Sequence, residues 1–199
     1  MIKIIGITGP SGSGKSLLCG YLSEAGIPCI NADEVYHSML IPPSRCLDKI
    51  REAFGDDVIT ADGSLDRKVL SKCVFNNADK LDLLNRTVLP IVIDEIRNII
   101  SCFEKEGKNV VAVDAPTLIE SGFHRECTLV VAVIAPIKER IERIEERDNI
   151  PESFAEMRAN AQQPDSFYTS AAHISIVNGS STEALRDNAY ELIEKINEL

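Results

Sequence analysis

Gly9-Pro10-Ser11-Gly12-Ser13-Gly14-Lys15-Ser16 stands between an apolar run, Ile2-Lys3-Ile4-Ile5-Gly6-Ile7, and the stretch Leu17-Leu18-Cys19-Gly20-Tyr21-Leu22. The run predicts a short buried strand and the stretch after it a helix, so the octapeptide occupies a strand-to-helix turn. It fits G-x-x-x-x-G-K-[ST], the phosphate-binding loop, in the context that pattern requires. Glycines at 9, 12 and 14 permit positive φ, which lets backbone N–H groups turn inward toward phosphate oxygens. The positive end of the helix dipole stands behind them. In such a loop Lys15 reaches the β and γ phosphates and the Ser16 hydroxyl binds Mg²⁺. Gly12, Ser13, Gly14, Lys15, Ser16 and Leu17 are the expected nucleotide-binding set. A glycine-rich turn with a chance lysine would need strand, full motif and helix to coincide by accident.

With 199 residues the chain can bury a sizeable core and reads as one domain, with room for a lobe. A net charge of −10 argues against a nucleic-acid surface, so a phosphorylated ligand would need a local basic cluster. Cys19, Cys29, Cys46, Cys73, Cys102 and Cys127 form no C-x-x-C pair. That spacing fits reduced, mostly buried thiols better than a metal site or a disulfide framework. The opening Met1–Ile7 is too short for a signal peptide, and no apolar run approaches 18 residues. A cytoplasmic protein without a membrane span is expected.

Further along, Ile27–Ile30 reads as a second strand, with Asn31-Ala32-Asp33 at its carboxyl end, the edge where open parallel sheets bind ligands. A helix is expected over Glu34–Leu40. From Arg45 to Glu106 the pattern is helical: Leu47–Phe54, Arg67–Phe75, then Asp79–Glu106 interrupted or kinked at Pro90. Asn109–Asp114 and Thr128–Ile134 are near-continuous apolar runs, as strands buried on both faces should be. Helices over Lys138–Arg147 and Pro151–Ala161, a strand over His173–Val177, and a final helix opened by a Ser180/Glu183 capping box complete the chain. Strands alternating with helices predict an α/β fold with a doubly wound five-stranded parallel sheet. A helical lobe (45–106) is inserted, and a helical lid covers 138–165.

Phosphoryl transfer needs charge stabilisation, a metal, and a group that orients or deprotonates the acceptor. Asp33 suits the last role, placed at the end of the strand expected to neighbour the first, where its carboxylate could accept a hydroxyl proton. The competing reading makes Asp33 the N-cap of the helix over 34–40. Asp114, ending the third strand, suits a metal or loop contact, or an ordinary turn before Pro116. Glu120 could be a plain solvated carboxylate. On a helical wheel Ile137, Ile141 and Ile144 form one stripe, with Arg140, Arg143 and Arg147 on one flank and Glu142, Glu145 and Glu146 on the other. Segregated signs in an acidic chain suggest an anion site in which the guanidiniums close over nucleotide phosphates. His37, His124 and His173 are dispersed and read as surface or packing residues.

Taken in order, these residues resemble the dephospho-coenzyme A kinase family. The likeness covers Gly6–Gly9 with Gly12–Ser16, Asn31-Ala32-Asp33, Phe54-Gly55, Asp62–Arg67, Asp114–Gly122, Arg143–Asp148, Gln162 and Asn178-Gly179. The resemblance implies transfer of the ATP γ-phosphate to the ribose 3′-hydroxyl of dephospho-CoA, giving CoA and ADP. It makes Asp33 the base, Lys15 and Arg143 catalytic, Arg147 and Asn178 nucleotide contacts, and Ser16 with Asp114 the Mg²⁺ site. It further implies small-molecule partners only, a monomer or weak homo-oligomer, a mobile lid carrying Arg143 and Arg147, and a lobe that holds the CoA portion. Five positions depart from the family pattern: Leu17 for Thr, Leu89 for His, Arg140 for Gln, Tyr168 for Lys and His173 for Asp. None touches Lys15, Ser16 or Asp33. Another small-molecule P-loop kinase, or an ATP-binding regulatory paralogue without turnover, remains compatible with the residues. A GTPase switch lacks its N-K-x-D stretch.

Overall fold

The computed structural model describes residues 1–75, 77–179 and 182–199. Five strands, β1 (Lys3–Thr8), β2 (Cys29–Asn31), β3 (Val110–Asp114), β4 (Leu129–Ile134) and β5 (Ile174–Val177), form one sheet in the order β2-β3-β1-β4-β5. All are parallel. β1 is central, with Ile5 beside Ala112 on one side and Leu129 on the other. Apolar side chains on both faces of β1, β3 and β4 are removed from water, which explains their unbroken hydrophobic runs.

The order corrects one expectation: β2 does not neighbour β1, because β3 lies between them. The first crossover skips one place, and the strand that returns after residue 105 fills it. Asp114 therefore closes the strand beside β1, and β2 lies one position farther out.

The chain divides into two compact units, one of Met1–Ile30 with Phe103–Leu199 and one of Asn31–Cys102. In the first, α1 (Lys15–Glu24) and α9 (Thr182–Glu198) pack Leu18, Leu22, Leu185 and Leu192 against Ile5, Ile7, Val131 and Val133. The Ser180 half of the expected capping box lies outside the described residues. α6 (Ile137–Asp148) and α7 (Glu152–Asn160) bury Ile144, Ala155 and Ala159 together. Ile137 does not join that seam, being 47% exposed at the first turn of its helix. A short helix absent from the sequence reading, α8 (Asp165–Ala171), starts after Pro164. Its run of Ser, Phe, Tyr and Thr has weak helix propensity, so only its packing reveals it.

In the second unit α2 (Ala32–Ser38), α3 (Arg45–Phe54) and α4 (Arg67–Val74) are capped by Asn31, Ser44 and Asp66, each side chain accepting from two backbone N–H groups. α5 (Ala78–Lys105) runs through Pro90 without interruption. Pro90 is exposed, so water can satisfy the carbonyl its missing N–H leaves behind.

Candidate active site

The site grows from the first helix's amino end. Gly14 caps α1 in the left-handed region (φ 102°) and no side chain takes the first-turn amides. Among the described residues the N–H groups of Gly12, Gly14 and Ser16 meet no acceptor. The Ser13 hydroxyl, fully buried, also lacks a hydrogen-bond partner among them.

The loop's carbonyls explain why its amides are left over. Arg140 Nε donates to Ser11 O at 3.0 Å, Arg143 Nη1 to Gly12 O at 3.2 Å, and Asn178 Nδ2 to Ser13 O at 2.8 Å. The Ser11 N–H donates to Gln162 Oε1 at 2.9 Å, and Arg147 Nη2 lies 3.4 Å from Ser11 Oγ. Donors from α6 and its neighbours thus hold successive carbonyls from outside, and peptide geometry turns the intervening amides the other way. Lys15 is buried, with Nζ donating to Gly9 O at 2.8 Å and Pro10 O at 3.1 Å. A cradle of unspent amides beside a buried ammonium fits the polyphosphate of ATP.

Ser16 Oγ donates to Asp114 Oδ2 at 3.3 Å, and Asp114 is 4% exposed at the end of β3. A hydroxyl and a carboxylate are hard oxygen donors of the kind Mg²⁺ takes beside phosphate and water. The residues present therefore fit the ion.

The three arginines do converge on the loop, but not alike. Arg140 is buried and bridges Ser11 O and Ala159 O, with Asp165 at 4.0 Å from Nη1. Burial pulls its pKa down, and the charges of Asp165 and Tyr168 oppose that pull. It is a brace between loop and α7, which corrects the expectation of three guanidiniums closing over phosphate. Arg143 also donates to Asn178 O at 3.2 Å. Arg147 is exposed and pairs with Asp148 at 2.7 Å. That hydrogen bond from Arg147 holds the Asp148 carboxyl below the usual carboxylate range, with Arg158 adding to the effect.

Asp33 lies in the second compact unit, exposed in the first turn of α2. The cap of that helix is Asn31, whose Oδ1 accepts from Asp33 N at 2.9 Å and Glu34 N at 3.2 Å. The Asp33 carboxylate is thus spared the capping role. Leu17 is partly exposed on α1 and gives the loop no side-chain hydrogen bond. His173, expected to be a packing residue, accepts the Val130 N–H on Nδ1 at 2.9 Å and so helps hold β4.

Sequence reasoning alone did not find Gln162 or Arg140 as loop braces. Gln162 entered only through the family pattern, and Arg140 sits in a stripe that wheel geometry cannot tell from Arg143. Tyr168 went unplaced, yet it is buried, and burial together with the charge of Glu120 pushes its phenol up. Burial likewise raises the Glu120 carboxyl.

Comparison with known proteins gives a consistent outcome. The family model described as dephospho-CoA kinase matches residues 3–184. A dephospho-CoA kinase of Corynebacterium glutamicum is 34% identical over 192 residues, covering 96% of each chain. One of Dehalococcoides mccartyi is 32% identical over 93% of each. Among solved structures, a Thermus thermophilus protein superposes with a TM-score of 0.81 at 26% identity, over 98% of this chain and 97% of that one. Dephospho-CoA kinase from Campylobacter jejuni gives 0.70 at 25% identity, over 100% and 98%. A shikimate kinase from Acinetobacter baumannii (0.57, 18% identity, over 100% and 94%) shares the fold alone.

Proposed function

The chain belongs to the dephospho-CoA kinase family and uses ATP to phosphorylate dephospho-CoA in coenzyme A synthesis, and from that premise we propose how its residues divide the work. The acceptor is the ribose 3′-hydroxyl. Asp33 takes the hydroxyl proton as the oxygen attacks, a role its exposed and uncapping carboxylate supports. The loop amides and Lys15 hold the β and γ phosphates and neutralise charge on the transferring group. Ser16 and Asp114 would hold Mg²⁺, which when bound would neutralise phosphate charge. Gly12, Ser13, Gly14 and Leu17 line the nucleotide's path.

Arg143 is the catalytic arginine. Its guanidinium binds neutral carbonyls at Gly12 and Asn178, partners it can trade for phosphate oxygens carrying full charge. Arg147 and Asn178 contact the nucleotide, and residues 138–165 act as the lid. Closing that lid would exclude water, the competing phosphoryl acceptor. The stretch 45–106 holds the rest of the acceptor, within one kinase domain. We assign the protein to the cytoplasm as a monomer or weak homo-oligomer. No helix among the described residues is long and apolar enough to cross a membrane.

One observation carries this reading: the loop's carbonyls are held by Arg140, Arg143 and Asn178 while the Gly12, Gly14 and Ser16 amides stay unspent among the described residues. Mass spectrometric detection of CoA from dephospho-CoA and ATP tests it. ADP released with another alcohol, and no CoA from dephospho-CoA, would refute the acceptor.

A further inference from the structure

Two thiols meet behind the phosphate loop and take no part in the chemistry above. Cys19 lies on α1, one turn beyond Lys15, and is buried. Cys29 opens β2 and is half-buried. The Cys29 sulfur is 3.3 Å from the carbonyl oxygen of Cys19 and 3.7 Å from that of Ile27. Both side chains belong to one apolar cluster between α1 and the sheet. They also share a side-chain hydrogen bond.

We propose that Cys29 is a thiol-modification site: it exchanges with low-molecular-weight disulfides, and Cys19 resolves the adduct to close an intramolecular Cys19–Cys29 disulfide. The Cys29 thiolate attacks one sulfur of the small disulfide, forming a mixed disulfide and expelling one thiolate. Cys19 then attacks the Cys29 sulfur, and its proton passes to the second thiolate as that thiolate leaves. The two protein thiols are oxidised, one small disulfide is reduced to two thiols, and no other oxidant is needed.

The two cysteines are chemically unlike each other, as such a division requires. As a thiol Cys29 donates to the neighbouring carbonyls; as a thiolate it accepts from Cys19 and Ser23. The Cys19 hydrogen bond leads in lowering the Cys29 thiol, against the burial that raises it. The same hydrogen bond, then burial, pushes Cys19 far up. A thiol whose ionised form is favoured is the better first attacker in exchange. Burial drives Cys127 up to about 12 and raises Cys46, which disfavours either as the first thiol to attack, and among the described residues no partner thiol is hydrogen-bonded to them as Cys29 is to Cys19. Cys102 is exposed and serves as the internal control for access. An S–S bond of about 2.05 Å would draw α1 toward β2, and α1 carries Lys15 and Ser16 at its start.

The test is reduced full-length protein, freed of reductant, incubated with glutathione disulfide and mapped by non-reducing peptide mass spectrometry. The expected product is a peptide pair joined through Cys19 and Cys29, lighter by two hydrogens. In Cys19→Ala the glutathione stays on Cys29, and in Cys29→Ala Cys19 stays unmodified. Glutathione remaining on Cys29 of the unsubstituted chain would overturn the resolving step. Cys29 left untouched while Cys102 is modified would overturn the proposal entirely. Mapping of the unsubstituted chain decides both points even where a variant fails to fold.

Discussion

Gly14→Ala tests the loop's outer scaffolding directly. Gly14 has φ 102° and ψ 17°, where a side chain costs about 1–2 kcal/mol of backbone strain. A Cβ there would stand 2.2 Å from Asn178 Nδ2. Asn178 is 6% exposed and donates to Ser13 O at 2.8 Å, so it cannot retreat without leaving that buried carbonyl and its own amide unpaired. Such a loss costs about 1–3 kcal/mol. The combined penalty is about 2–5 kcal/mol, a fall in Tm of roughly 4–20 °C for a chain of this size. In an Asn178→Ala background the collision is gone, and Gly14→Ala should cost only the strain of about 1–2 kcal/mol. Thermal unfolding of the four proteins gives the coupling, and repeating it with ATP and Mg²⁺ shows whether the loop still binds. Equal Tm losses from Gly14→Ala in both backgrounds would refute the idea that Asn178 enforces the loop's shape.

Four other outcomes follow from the same geometry. Asp33→Asn should keep the KM for ATP and lower kcat by about 10²–10⁴, read by coupled ADP release; parental kcat would remove Asp33 as the base. Lys15→Ala should weaken ATP binding in calorimetry and slow turnover together, because its ammonium faces ground and transition states alike. Arg140→Met removes the charged hydrogen bonds to Ser11 O and Ala159 O. Each such bond is worth about 1.5–3 kcal/mol, so ATP affinity should drop about tenfold or more. Asp148 titrates below its usual range because Arg147 bonds its ionised form, so its stabilising effect holds above about pH 5 and fades as pH falls below about 4. Asp148→Asn should therefore lower Tm at neutral pH, and the gap from the parent should shrink in acid.

The strands and the loop were legible because their physics is local. Apolar runs such as Val110–Asp114 and Leu129–Ile134 have only one way to bury both faces, and the glycines at 9, 12 and 14 mark where the chain must wrap. What stayed hidden depends on residues far apart in sequence. Ser11 N meets Gln162 across 151 positions, and Ser13 O meets Asn178 across 165. Nothing near Gln162 in the sequence announces a partly buried polar partner. The place of β2 was misjudged for a similar reason: chain order says which strand comes next, whereas sheet order depends on where the crossover lands. Asn31 and Asp33 are both good caps by residue type, and only backbone geometry separates them.

The departures from the family pattern look different once the fold is known. The resemblance implies glutamine at 140 and lysine at 168, where this chain has arginine and tyrosine. The two side chains are electrostatic neighbours, the Arg140 charge acting on the Tyr168 phenol and Tyr168 on the Arg140 guanidinium. A positive charge given up at 168 is therefore regained at 140, a few ångströms from Ser11 O instead of on α8. Asp165, also on α8, has Arg140 Nη1 at 4.0 Å as a cationic partner. The pair thus moves a charge within one buried cluster that props the phosphate loop. Since Arg140 spends its donors on Ser11 and Ala159, the exchange bears on how the loop is braced and not on Asp33, the proposed base.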